Sequence, residues 1–397
     1  MTDNEKLGAP AARESEVPRL TLDSPDAILA AIPHMLGFYP SQSLVVIGLN
    51  GKSGKVRLTF RYDLPDPADS VLAQDIAEHA LAVLRQQRLR LAILVGYGPP
   101  TLVTPVFVMA TELLEVNGIE IREAMRAEGG RYWSVLCTDP ACCPPEGTPF
   151  DPGSHPAAAA MVQAGLDALP DRAALSRTLR PPAGSGDRIR EFTRLAEERL
   201  CDLGVRGAEN GEDSHQATAR VGRTAMQRAI RRYRAGYAIT RGDQLAWLAV
   251  LLTDLRVRDD AWARMEPAHW DAHIRLWTDV VRGAATEYVA APASLLAFVG
   301  WQAGRGSLAM VAIDRALAAR PGYSMALLIA DALQAGLPPS AAKLPMSPKQ
   351  VAASYAAQEN IRRRRAERGA KRGSWARRPE VAAAGAGKRT TARARRS

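Results

Sequence analysis

The chain has 397 residues, of which 47% are hydrophobic and 24% charged, the balance of an ordinary globular protein with room for roughly two domains. Its formal net charge of +10 is unevenly placed: residues 361–397 carry 14 Lys and Arg against Glu367 and Glu380, a net of +12, and the other 360 residues stand at −2. The longest apolar stretches, 245–252 and 290–301, fall short of the ~18 residues that a bilayer requires, so no membrane span is expected.

Asp3, Glu5, Glu14 and Glu16 interrupt any secretory signal at the N-terminus. Of the four cysteines, Cys137, Cys142 and Cys143 crowd into seven positions, which is not a disulfide framework. Reduced thiols and a cytoplasmic location are the expectation. Residues 1–18 read as a disordered arm.

An α/β N-terminal domain with a mixed sheet is expected over 19–156. Ser24 is a good N-cap, Pro25 suits the first helical position, and Ile28, Leu29, Ile32, Met35 and Leu36 recur at helical spacing up to Gly37. Pro33 should kink that helix. Leu44 to Leu49 and Val56 to Tyr62 form a hairpin about Asn50-Gly51. A helix over 70–87, a buried strand over 89–95 and a helix over 105–116 follow. Ile119 to Arg126 and Arg131 to Cys137 read as a second hairpin around Glu128-Gly129-Gly130. Strands alternating with helices imply the mixed sheet. Pro140, Pro144, Pro145, Pro149, Pro152 and Pro156 then forbid helix and central strand, leaving an extended Cys/Pro-rich loop over 138–156.

Residues 157–186 hold a helix over 157–169 and a linker, Pro181 to Gly186. An all-α helical domain is expected over 187–340, with helices near 188–201, 215–235, 243–255, 267–282, 292–304, 307–319 and 324–335. Leu296, Ala297, Gly304, Ala309, Ala316 and Pro321 fall at the spacings of one tetratricopeptide-like hairpin, where small residues let two helices approach. A disordered basic tail is expected over 356–397.

Leu29-Ala30-Ala31-Ile32-Pro33, Leu36-Gly37-Phe38-Tyr39-Pro40 and Ser43-Leu44-Val45-Val46 resemble the opening of a bacterial family, domain of unknown function 4192. Gly129-Gly130-Arg131-Tyr132-Trp133-Ser134, Cys137 and Asp139 through Pro149 resemble its most distinctive segment. The resemblance runs through the helical part to Ala335. It implies a high-GC Gram-positive source and carries no particular activity.

The best candidate site is that same loop, with Arg131, Trp133, Cys137, Asp139, Cys142, Cys143 and Glu146 in it. Three readings compete. Buried thiols and prolines can lock the loop against the sheet while Trp133 fills the core. Cys137, Cys142 and Cys143 can ligate a metal with Asp139 or His155 as a fourth ligand, although Cys-x4-Cys-Cys is not zinc-ribbon spacing. One cysteine can act as a nucleophile if His155, His34 or His79 serves as base.

Other motifs are weaker. Gly51-Lys52-Ser53 lacks the first glycine of a phosphate loop, since Val46 stands there, and lacks the helix after it. Gly96-Tyr97-Gly98 reads as a tight turn rather than a ligand crevice. His269 and His273 share a helix face, but Trp270 stands where a zincin needs glutamate. Arg220, Arg223, Arg231 and Arg234 form a stripe that suits a solvated helix face or a grip on phosphate. Arg362, Arg363, Arg364, Arg365, Arg368, Lys371 and Arg372 are the candidates for nonspecific nucleic-acid contact.

The expected function is that of a binding or regulatory protein that engages a protein partner through its helices. The alternatives are an enzyme or metal-binding protein using the cysteine loop, and nucleic-acid association through the tail. Neither an enzymatic activity, nor a cofactor, nor an oligomeric state is specified by these residues.

Overall fold

The computed structural model describes residues 24–51, 54–342 and 347–375, with 362, 363 and 365–375 described by backbone alone. The expected arm at 1–18 lies outside the described residues. The chain divides into a compact unit up to residue 345 and a second unit from 346.

The first unit opens with α1 (Pro25–Leu36). The Ser24 hydroxyl accepts the Ala27 N–H at 3.2 Å, and Gly37 ends the helix at φ +79°. Then come β1 (Ser43–Asn50), β2 (Lys55–Asp63), α2 (Ser70–Gln86), β3 (Leu91–Tyr97), α3 (Pro100–Val116), β4 (Glu120–Glu128), β5 (Arg131–Ser134) and β6 (Thr148–Pro149). The six strands form one mixed sheet in the order β2-β1-β3-β4-β5-β6. The β3/β4 pair is parallel, with α3 as its crossover, and the other pairs are antiparallel.

Alternation along the strands serves two cores. Leu44, Val46, Ala92, Leu94 and Ala124 face α2 and α3 in one apolar cluster. Val45, Ile47, Ile93, Val95, Met125 and Ala127 belong to another, together with Ile28, Leu29 and Ile32 of α1.

Helices α4 (Pro156–Gln163) and α5 (Arg172–Arg177) lead to a purely helical region. It comprises α6 (Gly186–Glu209), α7 (Ser214–Arg234), α8 (Gly242–Leu251), α9 (Leu255–Ala263), α10 (Trp270–Gly283), α11 (Ala290–Gln302), α12 (Gly306–Ala319) and α13 (Ser324–Gln334). The mixed sheet followed by helices is the fold class expected. Helix α11 is apolar and buried on all sides. Gly300 faces α12 so closely that a Cβ there would lie 3.3 Å from the Ala309 nitrogen. Leu296, Ala297, Ala309 and Ala316 are all buried in this helical pair.

The linker before α6 does not separate distinct cores. The cluster that holds the α1 face of the sheet continues through Leu175 and Leu179 into Met226, Trp277, Leu296 and Ile313. Further ties join α2 and α5 to the helical region. Arg172 pairs with Asp314 at 2.7 Å, His79 Nε2 meets the Gln334 carbonyl at 2.5 Å, and the Gln87 amide donates to the Gly336 carbonyl.

Several expected bounds move. The helix expected over 157–169 ends at Gln163, where Gly165 turns at φ +76° so that Leu169 can bridge to Phe38. The helix expected over 243–255 breaks after Leu251, because Asp254 accepts the Arg256 N–H at 2.8 Å and starts α9. The Pro-rich loop contains the short strand β6. In the second unit, α14 (Pro348–Trp375) carries regular backbone into the segment expected to be disordered from 356; residues 376–397 lie outside the described residues. Among the described residues, no helix is long and apolar enough to cross a membrane.

Candidate metal centre

The loop after β5 is shaped by a few side chains. The Ser134 hydroxyl donates to Glu123 Oε1 on β4 at 3.2 Å and accepts the Cys137 N–H at 3.2 Å. The chain then doubles back over Asp139. Its carboxylate accepts the Ala141 N–H at 2.9 Å, and its carbonyl accepts the N–H groups of Cys142 at 3.1 Å and Cys143 at 2.7 Å. An aspartate that bonds the backbone two residues on nucleates such a turn. Cys142 and Cys143 are thereby brought back onto Cys137, and the three sulfurs lie within 4.8 Å of one another. All three are free thiols, Cys142 exposed and the others half-buried.

A clamp holds the far side of the loop. The Trp133 indole N–H donates to the Pro145 carbonyl at 2.9 Å, and Arg131 Nη1 donates to the Gly147 carbonyl at 2.7 Å. Glu146 contributes its carbonyl, which accepts from Arg131 at 3.4 Å. Gly147 is at φ +82°, and a Cβ there would lie 2.5 Å from the Trp133 ring, so both conformation and space demand glycine. Arg126 covers the other ring face, its guanidinium carbon 3.6 Å from the centroid, and pairs with Glu128 at 2.7 Å. Arg131 and Trp133 therefore brace the loop rather than line a pocket with the thiols.

The thiols differ in acidity. The Asp139 backbone N–H, and then the Cys143 thiol, hold Cys137 below its ordinary range. Cys143 is pushed up to about 12, first by its bond to Cys137 and then by burial. The thiols lie close enough that they titrate as a coupled group rather than singly. A tetrahedral zinc–thiolate site with Zn–S bonds of about 2.3 Å separates its sulfurs by about 3.8 Å. Small side-chain adjustments from the observed cluster reach that spacing.

Neither expected fourth ligand joins the three sulfurs. One Asp139 carboxylate oxygen serves Ala141, and His155 Nδ1 accepts the Ala157 N–H at 3.1 Å to cap α4. The expected bases are likewise engaged elsewhere. His34 Nδ1 meets the Leu166 carbonyl at 2.7 Å, and His79 lies between Tyr62 and Gln334. The arrangement thus brings three soft donors together, with no fourth His, Cys, Asp or Glu donor grouped with them among the described residues.

The weaker motifs resolve as follows. Asn50-Gly51 turns a hairpin, while Lys52 and Ser53 lie outside the described residues. A Cβ on Gly96 would lie 2.3 Å from Val103, so that glycine serves the packing of α3 on β3. In the arginine stripe, Arg234 is bound to the Arg264 carbonyl at 3.1 Å and to Glu266 at 3.4 Å, while Arg220 pairs with Glu212 at 3.1 Å. Of the nucleic-acid candidates, Arg364 is exposed, and the side chains of Arg362, Arg363, Arg365, Arg368, Lys371 and Arg372 lie outside the described residues.

A mixed α/β sheet that shares its core with a helical layer and carries a three-thiol loop at its margin defines the class of protein. Comparison with family models narrows it: residues 25–340 match Domain of unknown function (DUF4192), and the chain belongs to that family. Comparison with curated proteins and with solved structures finds no match.

Proposed function

We propose that the protein binds a thiophilic metal ion through Cys137, Cys142 and Cys143, with one coordination position left for an exchangeable ligand. The convergence of the three sulfurs within 4.8 Å carries this reading. Thiolates select zinc or copper(I) over hard cations. An open fourth position suits reversible exchange better than a closed structural site. Such a site needs reduced cysteines, which supports a cytoplasmic setting. The helices, expected to engage a protein partner, offer the exposed pair Leu327 and Leu328 on α13. The loop offers three donors of one chemistry, and on that difference the metal reading is preferred.

Purified full-length protein, kept reduced, should retain or take up close to one zinc per chain by elemental analysis. Cobalt(II) in its place should give thiolate charge-transfer bands. Cys142→Ser, at an exposed position, should abolish both while leaving the circular dichroism unchanged. Cys143 must lose its proton on binding, so apparent affinity should rise from pH 6 to pH 8. A folded protein that takes up neither ion would overturn the proposal.

A further inference from the structure

A second polar feature lies far from the cysteine loop in sequence. Helices α6, α7 and α8 line a shallow, half-open cleft of about 220 Å³. Its floor is apolar, formed by Val221 and Ala225 of α7 and by Trp247 of α8. Its rim is cationic, with Arg199 from α6 and Arg220 and Arg228 from α7, two turns apart. The Arg199 guanidinium lies over the Trp247 ring, 4.3 Å from its centroid, which fixes that cation at the mouth. Trp247 is 7% exposed and covered by Arg199, so it supplies a wall and not a free stacking face.

Only one of the three cations meets a carboxylate among the described ion pairs. Glu212 accepts from Arg220 Nε at 3.3 Å and Nη2 at 3.1 Å. A carboxylate of the chain itself thus already takes the fork geometry that an incoming oxyanion would take. Among the described residues Arg228 has no such neighbour, and Arg199 lies over the indole. Three guanidinium forks offer more N–H donors than one carboxylate can accept. A phosphate ester, with three terminal oxygens and a charge near −2, matches them better.

We propose that this cleft binds a small organic phosphate monoester, its phosphate held by Arg199, Arg220 and Arg228 and its apolar body lying on Val221 and Ala225. Glu212 competes for Arg220 and weakens binding in the free protein. This site is independent of the metal reading. Phosphate contact is one expectation for the arginine stripe, but of the four arginines in that stripe only Arg220 lines the cleft; Arg228 and Arg199 complete it.

The test is calorimetric titration of the full chain with phenyl phosphate, benzoate and inorganic phosphate at physiological ionic strength. Phenyl phosphate should bind tightest, because it alone has both the dianion and the ring. Arg228→Gln should weaken it roughly 10-fold or more, the size of a lost charge-assisted contact. Glu212→Gln should tighten it by freeing Arg220. Arg228 is exposed and Glu212 only half-buried, and unchanged circular dichroism verifies each fold. Equal binding of all three anions, affinity unchanged in Arg228→Gln, or no heat at millimolar ligand would each overturn the proposal.

Discussion

His273 on α10 is 1% exposed, and neither ring nitrogen has a hydrogen-bond partner. Burial, then the nearby Arg234 and His269, depress its pKa to about 4. In the unfolded chain an imidazole titrates near 6.5, so between the two values the unfolded state binds more protons. Stability must therefore fall as pH drops from about 6.5 towards 4, by ~3 kcal/mol for this one group. His273→Leu should remove that loss: the stability difference between variant and wild type, from urea unfolding, should shift by ~3 kcal/mol in the variant's favour between pH 7 and pH 4. An unchanged difference would mean that His273 is hydrated. The sequence shows the spacing of His269 and His273 and the missing glutamate, but not that one ring is buried alone. The cysteines pose the same difficulty. Their crowding is legible, but their convergence depends on the turn at Asp139 and on Ser134 and Glu123, which no spacing rule singles out.

At the scale of elements, helix periodicity and capping residues are good guides: α1, α7, α11 and α12 lie within a few residues of their expected bounds. The errors fall where a cap interrupts an apolar run, as Asp254 does between α8 and α9, or where a two-residue strand such as β6 is too short to show a period. Gly222 inside α7 is equally opaque in sequence, since a glycine there costs about 1 kcal/mol in helix propensity with no visible return. The return is packing: a Cβ on Gly222 would lie 2.4 Å from Val257 Cγ2, and Val257 is fully buried on α9. Gly222→Ala should destabilise by ~1–2 kcal/mol, overpacking outweighing the propensity gain. Combined with Val257→Ala it should cost less than the two changes added, by ~1 kcal/mol. Thermal melts of the four proteins measure this. Strict additivity would show that α7 and α9 move apart without strain.

For the whole molecule, the separation of charge is legible at once: a near-neutral body and a segment of +12 after residue 360. What composition cannot show is that sheet and helices share one apolar cluster, because that contact joins residues as distant as Ile28 and Ile313. The basic segment motivates the last expectation. If it contacts nucleic acid, full-length protein should bind without sequence preference and lose roughly three powers of ten in affinity between low and moderately high salt. A chain ending at Tyr355 should lose that binding, as read by fluorescence anisotropy at several salt concentrations. Undiminished binding by the shorter chain would move the contact onto the folded body.

The strand order has a consequence for aggregation. A sheet is vulnerable at its two outermost strands, where unpaired backbone groups can template another chain. Here one margin is β6, two residues long, and Pro149 has no N–H to offer a newcomer. The other margin, β2, is longer, but Lys55 and Arg57 stand exposed near its start, whereas Arg61 is paired with Asp63, so two copies brought edge to edge would set the Lys55 and Arg57 charges near each other. Fibril-like growth is thus discouraged at one border by brevity and at the other by repulsion. Because only the second safeguard is ionic, concentrated salt should weaken it while leaving the first intact.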